Sequence, residues 1–196
     1  MRWLAVLVVA VAVLLAGVPL GAAALAPCSA YDTATTLSAT ATAGVALPEW
    51  GSPRHQSLTS RAQTIPAPVK QLYVAAAARY HVAWQLLAGI GMAETRHGYN
   101  NRTSSAGAQG LMQFMPGTFA AYGVDGNVDG RRDIHNDADS VFSAAHYLVA
   151  SGVRTGPAGV IKALWAYNRS VSYRNDVLYY AWSYAGRGGA IVSADD

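Results

Sequence analysis

Of the 196 residues only two are glutamates, Glu49 and Glu94, and Glu94 stands where a carboxylate is costly. Residues 83–95 place Leu87, Ile90, Gly91 and Glu94 at i, i+3, i+4 and i+7, so a helix there carries the acid on its apolar stripe. Moving an ionised carboxylate out of water is penalised, which raises its pKa and keeps it partly protonated near neutrality. Such a group can hand a proton to a leaving oxygen, the step that opens glycosidic cleavage. The competing reading is a helix-end glutamate paired with Arg96 or another cation, and periodicity alone does not choose between them.

A second cluster of chemistry-bearing residues is the run Asp125-Gly126-Asn127-Val128-Asp129-Gly130. Its oxygen ligands at positions 1, 3 and 5 with glycine at 6 follow an EF-hand loop, but position 12 is Asn136 instead of a bidentate glutamate, and position 8 is Arg132. Either the loop holds a structural Ca2+, or it is a set of Asx turns whose charge Arg131 and Arg132 neutralise. No HExxH spacing joins the five histidines, and single Cys28 excludes an internal disulfide and a cysteine-built zinc site. No nucleotide loop or Ser/His/Asp order is visible. Catalysis is expected to need no cofactor.

The elements that must position these residues read as helices throughout. After Pro66 and Pro68, the positions Val69, Leu72, Tyr73, Ala76, Ala77 and Tyr80 follow an amphipathic period, and residues 83–95 form a second helix. A Gly/Ser/Asn-rich stretch over 98–110 precedes a short helix entered at Pro116 and ending near Tyr122. Further helical patterns cover 139–150, 157–167 and 173–184, and no convincing alternating strand occurs. The expectation is an all-α domain over 66–186, with a Gly-rich flexible tail at 187–196.

The N-terminus is a separate matter. Residues 3–26 are uncharged and dominated by Leu, Val and Ala, so residues 1–26 read as an export segment, either a cleaved signal peptide or a retained membrane anchor. Ala22-Ala23-Ala24 and Ala24-Leu25-Ala26 both suit cleavage. Leu25-Ala26-Pro27-Cys28 approaches a lipoprotein box but has Pro27 where a small residue is expected. Residues 27–65 are rich in Ser, Thr, Ala and Pro and read as a flexible linker, with Trp50 and Leu58 able to pack on the domain. The protein is therefore expected at the cell envelope, or secreted, with its domain outside the cytoplasmic membrane. A net charge of +3 without a Lys/Arg cluster disfavours a nucleic-acid partner.

Three blocks, Ala93-Glu94-Thr95-Arg96-His97-Gly98, then Ser104 to Pro116 (SSAGAQGLMQFMP), then Ala166-Tyr167-Asn168-Arg169-Ser170, occur in the order and with the residue types of the bacterial lytic murein transglycosylases. The resemblance is closest to the membrane-bound lytic transglycosylase B type and spans residue 94 to about 184. It implies a lysozyme-like helical domain that cleaves the MurNAc–GlcNAc β-1,4 bond of peptidoglycan and forms 1,6-anhydro-MurNAc. Glu94 would then be the single general acid and base. Ser104 matches a serine at the sugar N-acetyl group, Gln113 a glutamine beside the acid, Tyr167 and Asn168 a pair facing it across the groove, and Tyr173 an aromatic of the glycan subsites. His97 stands where the family often has an aromatic. The family's acidic loop is longer than an EF-hand loop, and Asp125, Asn127, Asp129, the Arg131 carbonyl and Asp139 fall in its register. The implied partners are glycan strands, with a monomer expected and the membrane touched only through an uncleaved N-terminus. Asp133, Asp137, Asp139 and Asp176 remain open as a second carboxylate, which would suit a hydrolytic muramidase on the same fold. A non-catalytic peptidoglycan-binding protein is the third reading.

Overall fold

The computed structural model describes residues 46–55 and 61–193. The apolar N-terminus, Cys28 and Leu58 lie outside the described residues, so the expectations for export, anchoring and lipidation fall outside them too. The described residues form six helices: α1 Ala67–Tyr80, α2 Trp84–Thr95, α3 Pro116–Tyr122, α4 Asp137–Ala150, α5 Pro157–Tyr167 and α6 Val171–Tyr184. Among the described residues there is no strand, only isolated bridges between Gln63 and Val192 and between Gln109 and Phe114. No helix among them is long and apolar enough to cross a membrane.

The helix ends show why the chain breaks where it does. Prolines open α1, α3 and α5, where a missing N–H costs nothing. α4 starts at Asp137, two residues before the expected 139, because the Asn136 side chain caps it by accepting from the Ala138 and Asp139 N–H groups. Ser170 caps α6 likewise, accepting from the Tyr173 N–H, so that helix also begins two residues early. α2 ends in three successive left-handed residues, Arg96, His97 and Gly98, which turn the chain sharply off its axis.

α2 lies centrally, packed along α6 and against α1 and α4. Gly89 permits the α2–α6 crossing: a Cβ there would land on the Val177 carbonyl oxygen. Around the crossing Leu86, Leu87, Ile90, Leu111, Val141, Leu148, Leu164, Val177 and Leu178 are almost fully buried. Truncating one such leucine to alanine costs about 2–5 kcal/mol, because the lost transfer free energy is compounded by the cavity left behind.

The packed region reaches past both expected domain boundaries. Ala62 is fully buried, and Thr64 and Val192 bond through their backbones, Thr64 N–H to the Val192 carbonyl at 2.8 Å and Val192 N–H to the Ala62 carbonyl at 2.9 Å. Upstream, the Trp182 indole donates to the Pro48 carbonyl at 2.9 Å and the Asn175 amide to the Pro53 carbonyl at 2.8 Å. Trp50 meets Tyr179 edge-on, as its aromatic surface required. Residues 46–55 thus form a strap on α6, held by a few large side chains that a composition count averages away.

Candidate active site

Glu94 sits in the last turn of α2, partly exposed as a residue. Its carboxyl faces tyrosines instead of a cation. The Tyr173 hydroxyl, from the first turn of α6, donates to Glu94 Oε1 at 2.7 Å. Burial raises the carboxyl's pKa and the Tyr173 bond, which favours the charged form, opposes it; burial wins and the value rises to about 7. Arg96 does not pair with Glu94. Among the described residues the ion pairs are those of Asp176 with Arg54 and His55, so the cation-paired reading of Glu94 has no support in the structure.

Tyr167, at the end of α5, donates its hydroxyl to the Met112 carbonyl at 2.8 Å. Burial and then the nearby Glu94 charge raise the pKa of both Tyr167 and Tyr173 well above the ordinary value. The three side chains therefore form one electrostatic neighbourhood, built by the ends of α2, α5 and α6. Tyr173 is also buried, so its core role and its contact with the acid coexist.

Gln113 is left-handed (φ 50°), and its Nε2 donates to the Arg102 carbonyl at 3.1 Å and the Gly110 carbonyl at 3.0 Å. With Phe114, Met115, Thr118, Tyr147, Ala166 and Tyr167 it lines an open pocket. Glu94 is not among those lining residues, so Tyr167 is the side chain that adjoins both. Ser104 accepts from the Ala108 N–H at 2.9 Å and closes a turn of the same loop. Asn168 is exposed in extended backbone just past α5, and within the described residues its side chain makes no hydrogen bond. The structure thus brings Tyr173 into contact with Glu94 and Tyr167 near it, places Gln113 beside Tyr167, and leaves Ser104 and Asn168 without a bond to the acid.

Two residues that fix the loop after α2 escaped the sequence reading. Buried Thr95 donates to the Leu111 carbonyl at 2.8 Å and accepts from the Gly98 N–H, stitching the end of α2 to the 98–115 loop. Buried Ser140 accepts from the Met112 N–H and fixes the same loop from α4. Small hydroxyls on apolar helix faces were the available signal.

His97 turns inward. Tyr184 donates its hydroxyl to the Gln63 carbonyl at 2.7 Å, so it must accept from His97 Nε2–H at 2.7 Å, leaving Nδ1 to accept from Tyr73 at 3.1 Å. This saturated neutral imidazole is buried, and burial lowers its pKa to about 4. His97 fills a structural position behind the acid. Gly91 makes room for it: a Cβ there would strike the Tyr73 hydroxyl.

The acidic loop is closed by hydrogen bonds. Asp125 accepts from the Asp129 and Gly130 N–H groups, Asp129 from Arg131 N–H and the Asn127 amide, and buried Asp139 from Gly126 and Asp133 N–H groups at 2.7 Å each. Among the described residues no three acidic, histidine or cysteine side chains gather as a metal group would require. The oxygen set is nevertheless hard-cation chemistry, since each carboxylate oxygen has a further lone pair. Of the open second carboxylates, Asp139 is spent on this loop and Asp176 on the strap.

With this geometry in place, residues 99–163 match the family model of the transglycosylase SLT domain. The match takes in Ser104, Gln113 and the acidic loop and stops short of Glu94 and Tyr167. No curated protein matches the chain. Among solved structures, SltB3 from Pseudomonas aeruginosa in complex with NAG-anhNAM-pentapeptide superposes with a TM-score of 0.56 at 20% identity, covering 75% of this chain and 70% of that one. The same protein with NAG-NAM-pentapeptide gives the same values. The Escherichia coli lytic transglycosylase Slt35 in complex with calcium gives a TM-score of 0.46 at 18% identity over 62% of this chain and 75% of that one. Residues 99–163 are thus similar to a transglycosylase SLT domain, and the described helices share the fold of SltB3, the lysozyme-like helical fold that the three sequence blocks imply.

Proposed function

We propose that the chain is a peptidoglycan lytic transglycosylase in which Glu94 serves first as acid and then as base. The carrying observation is a carboxyl with pKa about 7, held by Tyr173 and opposed by no cation. Near neutrality about half the molecules hold the proton that the MurNAc–GlcNAc bridging oxygen must receive as its bond to C1 breaks. The carboxylate left behind is steadied by the Tyr173 hydroxyl. It then takes the proton from the MurNAc C6 hydroxyl as that oxygen bonds to C1, which closes the 1,6-anhydro ring and restores the protonated acid. No water is consumed and one carboxyl suffices, in keeping with Asp139 and Asp176 being committed elsewhere.

SltB3's glycopeptide complexes support a glycan-strand substrate here, and the pocket between Gln113 and Tyr167 is where a neighbouring sugar would lie, with Ser104 and Asn168 proposed as further glycan contacts. The Asp125–Asp139 loop would hold Ca2+ through Asp125, Asn127, Asp129, the Arg131 carbonyl and Asp139 in a purely structural role. Export by the N-terminal segment would bring the domain to its substrate.

The test is digestion of purified sacculi by the wild type and Glu94→Gln, with mass spectrometry of the products. Anhydro ends that vanish in the variant support the proposal. Reducing ends point to a muramidase, and binding without cleavage to a non-catalytic protein.

A further inference from the structure

The only fully buried carboxylate on α6 lies one helical turn beyond the tyrosine that touches Glu94. Asp176 Oδ1 receives Arg54 Nε at 2.7 Å, while Oδ2 receives the His55 backbone N–H at 3.0 Å and contacts its Nδ1 at 3.1 Å. The neighbouring Asn175 amide grips the Pro53 carbonyl, and the Arg54 guanidinium lies over the Tyr179 ring at 3.7 Å. All of these bonds join the strap to the part of α6 that begins with Tyr173. Asp176 sits at i+3 from Tyr173, a spacing that puts both on adjoining faces of the helix, so what fixes one limits the rotation and slide of the other.

We infer that Asp176, clamped by Arg54 and His55, is a positioning residue that sets α6 so that the Tyr173 hydroxyl meets Glu94. The inference rests on the reading of Glu94 as the acid, and makes the strap part of the machinery that tunes it. The α2–α6 crossing at Gly89 is close, which lets a small displacement of α6 be felt at the end of α2. Loosening the clamp weakens the Tyr173 bond, the one influence that holds Glu94 down against burial. The titratable group that acts on Glu94 is Tyr173, and the Glu94 charge bears in turn on Tyr167, while Arg54 and His55 face Asp176, so the two acids communicate through α6.

Because Glu49 and Glu94 are the only glutamates, side-chain 13C-carboxyl glutamate labelling of the full chain gives two resonances, and Glu94 can be titrated without an activity assay. Tyr173→Phe sets the scale, raising the Glu94 midpoint by about one unit, the size expected for losing a hydrogen bond to a charged group. Asp176→Asn and Arg54→Met are each expected to raise it by about half a unit, and to add nothing in a Tyr173→Phe background. Direct charge effects predict something different: removing the Asp176 charge lowers the midpoint, removing the Arg54 charge raises it, and both persist without Tyr173. Opposite signs, or shifts that survive Tyr173→Phe, or a lower melting temperature with an unmoved Glu94, overturn the inference. Arg54→Met, at the more exposed end of the pair, serves where Asp176→Asn does not fold. Wild type lacking anhydro products would defeat the functional reading alone, since the titration decides the positioning claim by itself.

Discussion

Two acids, Asp176 on α6 and Glu94 facing it, meet opposite fates. Asp176 is fully buried yet saturated, with a guanidinium, a backbone N–H and an imidazole on its two oxygens. Glu94 is less deeply set yet keeps one phenolic hydroxyl and no cation, and its pKa climbs to about 7. The partners differ more than the depth does: Asp176 is a structural pin between α6 and the strap, while burial raises the pKa of Glu94, which one hydroxyl supports. His97, three residues from Glu94, completes the contrast, since the same burial lowers its pKa to about 4 and keeps it neutral between two tyrosines.

The largest expected effect follows from breaking the under-supported side. Glu94→Gln should lower the rate of sacculus cleavage by about 10²–10⁴-fold, the usual worth of a positioned acid–base group, as measured by release of soluble fragments. The same variant should be more stable than wild type above pH 7. Glu94's folded pKa lies above its ordinary 4.5, so the wild type loses stability as pH rises from 4.5 through about 7, on the order of 2 kcal/mol for a partly exposed group. Denaturant melts at pH 8 check this, and a variant weaker than wild type there would contradict it.

His97 carries the opposite slope. Its folded pKa lies below its ordinary 6.5, so its contribution is complete above 6.5 and is lost as pH falls toward about 4. In wild type the two slopes overlap between 4.5 and 6.5 and largely cancel. In Glu94→Gln the histidine slope stands alone, and stability should fall by on the order of 3 kcal/mol between pH 6.5 and 4. A flat profile in that variant would show that His97 is not held neutral.

A smaller effect separates Tyr173 from the core around it. Tyr173→Phe keeps the ring and removes only the hydroxyl, so cleavage should fall about tenfold while the high-pH limb of the rate profile moves up by about one unit. The smallest effect belongs to the acidic loop. Millimolar calcium should raise the melting temperature by a few degrees and Asp129→Ala should abolish the rise, with no change in product chemistry. An unaltered melt in EDTA defeats the calcium proposal and leaves the hydrogen-bonded loop.

Much of the fold was legible because its signals are local. The period from Val69 to Tyr80, the prolines at 116 and 157 and the apolar stripe bearing Glu94 each report an element without help from the rest of the chain. The early starts of α4 and α6 were written in Asn136 and Ser170, residues equally at home in turns. The strap was not legible, because Arg54 and His55 lie more than a hundred residues from Asp176 and only tertiary packing gives the three meaning. Within the site, the apolar stripe pointed to Glu94's raised pKa. That the Tyr173 hydroxyl bonds Glu94 while the Asn168 side chain makes no hydrogen bond among the described residues depends on side-chain directions at the ends of α5 and α6, which spacing does not carry.

If Glu94 cleaves glycan strands without adding water, as proposed, the mass of the products records it. Sacculi digested by the full chain should yield disaccharide-peptides one water lighter than hydrolysis products, with closed anhydro ends, and Glu94→Gln should yield none. Reducing ends from the wild type, or the same anhydro products from Glu94→Gln, would contradict the account.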